Sequence, residues 1–155
     1  MKPEAVILIG IQATGKSTFY KERFFCTHVR INLDMLRTRH REKLLLAACL
    51  EGRVSFVVDN TSPTTRDRAR YIPAAKAAGF RIIGFLFESE VRSAVDRNAQ
   101  RPEDERVPEA AIWGTASKLE RPSLSEGFDE LHNVRIADGR FVVEEWREQR
   151  TKPFR

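Results

Sequence analysis

The sequence predicts an α/β fold in three layers, a mainly parallel sheet with helices on both faces. Three observations lead there. Short apolar runs alternate with helix-length segments along the chain. The first run, Ala5-Val6-Ile7-Leu8-Ile9, is continuous rather than alternating, which suits a strand buried on both faces of a sheet. Directly after it stands G-I-Q-A-T-G-K-S, residues 10–17, a glycine-rich turn leading from strand to helix. The 155 residues suffice for one core. No repeat, low-complexity tract or linker divides them, so a single domain over 1–155 is expected.

The elements are read in order as follows. Lys16 to about Arg23 is the first helix, and His28 to Ile31 a short second strand. From Asp34 to about Glu51 the pattern is helical, with Leu44, Leu45, Leu46, Ala47, Ala48 and Leu50 as a mostly buried end and Gly52 as its C-cap. Val54 to Val58 is a third strand, ending at Asp59. Ser62-Pro63 reads as an N-cap with proline in the first turn, opening a helix to Gly79. Pro73 lies inside that helix and should kink or break it. Arg81 to Phe87 is the fourth strand, and Ser89 to about Gln100 a helix. The polar segment Arg101 to Val107 reads as a loop, and Pro108 opens a last helix to about Leu119. Val134–Ile136 and Arg140–Val143 flank Asp138-Gly139, a hairpin signal.

Hydrophobic residues make up 41% and charged residues 32%, ordinary for a globular protein. No apolar stretch approaches the roughly 20 residues of a membrane span, and the N-terminus shows no signal peptide. Cys26 and Cys49 lack metal-ligand spacing, and His28, His40 and His132 form no metal motif. Two free thiols without a secretion signal point to a cytoplasmic protein. No membrane association and no stable protein partner are expected. The net charge of +5 suits phosphorylated partners, nucleic acid and small acidic substrates alike.

The turn at residues 10–17 has the form of a phosphate-binding P-loop. Gly10 and Gly15 let the backbone approach phosphate oxygens. The backbone of Ile11, Gln12, Ala13, Thr14 and Thr18 completes the cradle, with the helix dipole behind it. Lys16 would reach the β- and γ-phosphates of ATP, and Ser17 would offer a hydroxyl to Mg²⁺.

Ligands of open α/β sheets sit beyond the carboxyl ends of the strands. Asp34 and Asp59 both stand there. Asp34 is a candidate general base for an acceptor hydroxyl, or else the cap of the helix that follows. Asp59 is a candidate for orienting the magnesium shell, or else a turn-former. Arg37 follows Asp34 by one helical turn, which would put both on one face, where the guanidinium could hold an acceptor phosphate. Arg37 and Arg41 would share that face; Arg39 and Lys43 would share another, read as solvated surface. Arg97, Arg101 and Arg106 surround the charged loop. A lid over about residues 97–107 could carry an arginine to the transferring phosphoryl group.

Beyond the P-loop, "VVDNTSPTTRDRARYI", "AAKAAGFRIIGFLF" and "RPSLSEGF" give the chain a resemblance to polynucleotide 5′-hydroxyl kinases, the bacteriophage enzyme and the kinase domain of animal polynucleotide kinase 3′-phosphatase. The resemblance covers about residues 5–130, and D-N-T-x-P is its most specific part. It implies a P-loop NTPase-type fold with a lid. Lys16 and Ser17 would then hold ATP and Mg²⁺, Asp34 would be the base for the 5′-hydroxyl, and Asp59 would belong to the active site. Arg37 matches the bacteriophage D-x-x-R, whose arginine contacts the acceptor phosphate; the animal domain lacks it. Arg101 matches the lid arginine on the donor phosphates. No D-x-D-G-T phosphatase motif occurs, so healing of 3′ ends would need another protein. The expected activity is transfer of the ATP γ-phosphoryl to the 5′-hydroxyl of DNA or RNA. A kinase for a nucleoside, sugar or antibiotic hydroxyl, and a non-catalytic nucleotide-binding module, are the alternatives.

Overall fold

A computed structural model describes residues 1–148; residues 149–155 of the predicted domain lie outside the described residues. Its sheet contains β1 (Glu4–Ile9), β2 (Val29–Ile31), β3 (Phe56–Asp59), β4 (Arg81–Phe87), β5 (Glu130–Ala137) and β6 (Arg140–Glu145). The strand order is β2-β3-β1-β4-β5-β6. The first five strands pair in parallel, and β6 returns antiparallel beside β5. The hairpin turns at Asp138-Gly139, both with positive φ, as the dipeptide predicts.

Both faces of β1 are buried. Ala5, Ile7 and Ile9 pack with Ile31, Val58, Ile72 and Leu86 on one side. Val6 and Leu8 pack with Phe19, Val57, Phe85 and Val134 on the other. This is why the run 5–9 carries no alternation. Phe19, fully buried, meets Phe24, Phe85, Phe87 and Phe141 edge-on or tilted. That aromatic nest fixes α1 (Lys16–Arg23) and therefore Lys16 and Ser17 at its first turn.

Two predicted helices are broken. The segment 34–51 divides into α2 (Leu33–Leu36) and α3 (Arg39–Gly52). Arg37 closes α2 with φ +77°, and the Thr38 side chain caps α3 by accepting from the Arg41 N–H. A threonine cap competes locally with helix continuation, which hydrophobic periodicity does not register. Arg37 therefore shares no helix face with Asp34 or Arg41. Gly52 is the last helical residue, and Arg53 takes the left-handed cap position. Leu46 and Cys49 are buried in α3, whereas Leu44, Ala47 and Ala48 are exposed.

The segment 62–79 divides into α4 (Thr65–Arg68) and α5 (Ile72–Ala77). Pro73 sits at the start of α5, where a missing N–H costs nothing. The cap of α4 is Thr64 rather than Ser62, in a reciprocal capping box with Asp67. Ser62 is buried at φ +43°. The last helices are α6 (Val91–Ala99) and α7 (Glu109–Lys118), with one 3₁₀ turn at Glu103–Glu105 in the predicted loop.

The turn before α4 is held by a buried cation. Arg68 is 0% exposed. It donates to the carbonyls of Ser62 and Pro63 and, through Nε and Nη2, to both carboxylate oxygens of Glu126. Glu126 belongs to the Ser123–Glu126 capping box of "RPSLSEGF". Two segments that carry the family resemblance are thus a structural clasp. Arg68→Met leaves Glu126 without its counter-charge, and a loss of about 3–5 kcal/mol is expected from urea unfolding. A loss below about 1 kcal/mol would class the pair with exposed ion pairs.

Candidate active site

The carboxyl ends of β1, β2 and β3 open on a cleft of about 440 Å³. The P-loop forms one wall. Gly10 enters it at φ +155°, where a Cβ would stand 3.0 Å from the Phe87 backbone. Gly15 caps α1 at φ +88°, and a Cβ there would collide with Phe141 at 2.8 Å. Ala13 adopts φ +60° without being glycine, a strained conformation typical of functional loops. No side chain caps α1, so its first-turn N–H groups stay available to an anion. Gln12, Ala13, Thr14, Lys16 and Ser17 line the cleft; Thr18 is exposed outside the lining.

Lys16 is buried, and its ammonium donates to the carbonyls of Gly10 and Ile11. Burial pushes its pKa from 10.5 down to about 8; the Asp59 carboxylate opposes this, and the Arg101 charge adds to it. A phosphate group arriving at this ammonium would be held by charge-assisted hydrogen bonds.

The D-N-T motif knits the walls together. Asp59 Oδ2 accepts from the Ser17 hydroxyl at 2.8 Å and from Arg30 Nε at 2.8 Å. The Asp59 carbonyl accepts from Asn32 Nδ2. Asn60 Oδ1 accepts from the Leu33 N–H, and the Thr61 carbonyl accepts from the Gly10 N–H. Sequence spacing singles out Asp59 alone; Asn60 and Asn32 gain their meaning only from the pairing of strands distant in sequence.

Asp34 lies in the first turn of α2, exposed toward the cleft that it lines. The helix cap is Asn32, whose side chain accepts from the Met35 N–H. The capping alternative for Asp34 therefore falls, and its carboxylate is free of that role. Arg37 and Arg41 are exposed and lie outside the cleft lining. Arg39, read as solvated surface, lines the cleft instead. It is positioned from below: Nη1 donates to Glu42 at 2.8 Å and to the Tyr71 hydroxyl at 3.3 Å. Glu42 is buried and also accepts from Asn60 and Tyr71. Burial first, and then the Glu42 charge, push the Tyr71 hydroxyl up to about 12, so it remains a neutral donor.

The opposite rim carries Arg101, which lines the cleft. Its segment is tied at both ends by buried Asn98, which donates to the Val107 carbonyl and accepts from the Val107 N–H. Arg97 is occupied with the Ala13 carbonyl at 3.0 Å, and Arg106 with the Arg101 carbonyl. Of the three arginines around this segment, Arg101 is the one brought to the cleft.

Residues 6–122 match the AAA domain family. The chain belongs to that family. Its fold is that of P-loop kinases, a six-stranded, mostly parallel sheet with helices. A curated relative, the bifunctional polynucleotide phosphatase/kinase of Schizosaccharomyces pombe, is 28% identical over 135 residues, 84% of this chain and 33% of the relative. The chain thus spans about a third of the length of that protein. Among solved structures, a gluconokinase from Sinorhizobium meliloti matches with a TM-score of 0.61 at 18% identity, over 88% of this chain and 85% of that one. The APS kinase of Mycobacterium tuberculosis matches with a TM-score of 0.55 at 16% identity, over 85% of this chain and 88% of that one. At such identities the two structures share the fold. Among the described residues, no helix is long and apolar enough to cross a membrane.

Proposed function

We propose that this AAA domain protein transfers the γ-phosphoryl group of ATP to the 5′-hydroxyl of a nucleic acid. The observation that carries the reading is one cleft lined by a phosphate cradle and also by an uncommitted carboxylate and a positioned guanidinium, Asp34 and Arg39. The relation to the polynucleotide phosphatase/kinase of fission yeast supports the choice of acceptor.

In this reading Lys16 and the N–H groups of the P-loop and α1 hold the β- and γ-phosphates. Asp34 takes the proton of the 5′-hydroxyl as its oxygen bonds to the γ-phosphorus. The bond from that phosphorus to the β–γ bridging oxygen breaks, and ADP leaves. Arg101 neutralises charge on the transferring group. Arg39, held by Glu42 and Tyr71, grips the acceptor phosphate nearest the 5′ end. The Ser17 and Asp59 pair fits Mg²⁺. The Ser17 proton is committed to Asp59 and one hydroxyl lone pair accepts from Arg30 Nη2, which leaves the other for a hard cation, and Mg²⁺ is typically held by one or two protein groups beside substrate phosphates. When bound there, Mg²⁺ would supply charge neutralisation across the β- and γ-phosphates.

Arg39 within the cleft and Arg37 with Arg41 outside it give separable effects. Arg39→Ala should weaken every phosphate-bearing acceptor about tenfold or more in KM, the worth of one charge-assisted hydrogen bond, with the KM for ATP unchanged. The Arg37→Ala, Arg41→Ala double variant should leave the shortest acceptors untouched. For longer oligonucleotides it should flatten the slope of log affinity against log salt by about one to two units. Steady-state kinetics across a salt series, with a nucleoside 3′-monophosphate, an oligonucleotide and an unphosphorylated nucleoside, supplies these values. If the unphosphorylated nucleoside performs as well as the oligonucleotide and neither responds to salt, the acceptor is a small hydroxyl compound instead.

A further inference from the structure

Arg30 stands where no motif marks it. It lies on the edge strand β2, opposite Val57 of β3, and its guanidinium reaches into the pair that would hold Mg²⁺. Both Nε and Nη2 contact Asp59 Oδ2 at 2.8 Å, and Nη2 donates to Ser17 Oγ at 3.1 Å. Its side chain is 28% exposed, whereas that of Asp59 is 2% exposed. The guanidinium also lies 6.0 Å from the Tyr20 ring.

The hydrogen count at Ser17 is informative. The hydroxyl has one proton and two lone pairs. The proton goes to Asp59 and Arg30 Nη2 takes a lone pair, the feature through which Ser17 would bind a metal. At Asp59, one carboxylate oxygen already accepts from Ser17 and from Arg30 Nε, with Arg30 Nη2 in ion-pair contact with the same oxygen. A buried carboxylate needs a counter-charge, and Arg30 supplies one to the oxygens that a divalent cation would use.

We propose that Arg30 competes with Mg²⁺ for Ser17 and Asp59, and so sets the Mg²⁺ concentration that the site requires. Arg30 can give way without unfolding anything. It comes from an edge strand, its stem is partly exposed, and solvent can receive its charge. The inference rests on the metal-side reading of Ser17 and Asp59 and is independent of the acceptor.

The test uses the whole chain without nucleotide, titrated with MgCl₂. Wild type, Arg30→Gln and Arg30→Lys are compared by calorimetry and by thermal midpoint. Arg30→Gln should bind Mg²⁺ at least about tenfold more tightly than wild type, because an uncompensated buried carboxylate gains a cation that no longer has to displace a guanidinium. Its midpoint should fall without Mg²⁺ and recover as Mg²⁺ is added, while that of wild type changes little. Adding Ser17→Ala to Arg30→Gln should remove the gain in affinity, which places the ion at this pair. Arg30→Lys should lie between the two, since a single ammonium does not hold Asp59 Oδ2 and Ser17 Oγ together as the fork does. It carries the comparison alone if Arg30→Gln does not fold. Equal Mg²⁺ affinity in wild type and the Arg30 variants, or a gain that survives Ser17→Ala, overturns the proposal. No detectable Mg²⁺ binding by Arg30→Gln overturns it together with the metal-side assignment. A failure of the nucleic-acid reading would leave all these values unchanged.

Discussion

Lys16→Ala abolishes phosphoryl transfer while the chain still folds. In the proposed reading the ammonium is the charge that the P-loop aims at the donor phosphates, and removing one preorganised donor to developing charge costs at least about 10²–10³ in rate. The loss should show in single-turnover transfer from labelled ATP, with the thermal transition retained. A linked pH dependence follows in wild type. Burial holds the Lys16 pKa at about 8, and bound phosphates favour its protonated form, raising it. ATP binding therefore draws in a proton once pH exceeds about 8, and affinity falls as pH rises further, by up to about tenfold per unit. The stability linkage has the opposite sense. With the folded pKa below the unfolded 10.5, the unfolded chain binds more protons between those values, and Lys16 disfavours the fold less as pH rises through that window. Calorimetry of ATP binding from pH 7 to 9 reads the first effect, and Lys16→Ala should lose it. Undiminished turnover in the folded variant would remove the P-loop from the mechanism.

Asp34→Asn is expected to lose about 10²–10⁴ in turnover and to keep ATP binding. Asparagine nearly matches the shape but cannot accept the hydroxyl proton. Because Asn32 and not Asp34 caps α2, the substitution should leave the thermal midpoint close to wild type. End-labelling beside calorimetric ATP binding separates the two effects. Turnover within about twofold of wild type would reduce Asp34 to a surface residue of the first turn.

What the sequence made legible has a physical pattern. The strand–loop–helix unit from Glu4 to Arg23 could be read because its signals are local: a continuous apolar run, glycines where φ must be positive, and a lysine-serine pair at a helix start. The alternation of strands and helices carried the sheet for the same reason. Arg39 was hidden because its role depends on a break. Once Thr38 caps α3 and Arg37 turns left-handed, the periodicity that paired Asp34 with Arg37 no longer holds. Arg39 gains its position from Glu42 and from Tyr71, 32 residues away. Arg68 and Glu126, 58 residues apart, meet only in the folded chain. Arg30 was within reach of a simple argument. Strand alternation puts Ile31 in the core beside Val58 and turns Arg30 toward the α1 face, where Ser17 begins.

A labelling assay reads 5′-hydroxyl phosphorylation directly. Wild type and Asp34→Asn are given γ-labelled ATP and Mg²⁺ with four acceptors: a 5′-hydroxyl DNA oligonucleotide, a 5′-hydroxyl RNA oligonucleotide, the same DNA already 5′-phosphorylated, and a panel of nucleosides and sugars. Label is expected on the 5′-hydroxyl end of at least one oligonucleotide, with none on the phosphorylated control, far less on the small hydroxyl compounds, and loss of labelling in Asp34→Asn. Efficient labelling of a nucleoside or sugar with none on either oligonucleotide, or equal labelling by Asp34→Asn and wild type, would contradict it.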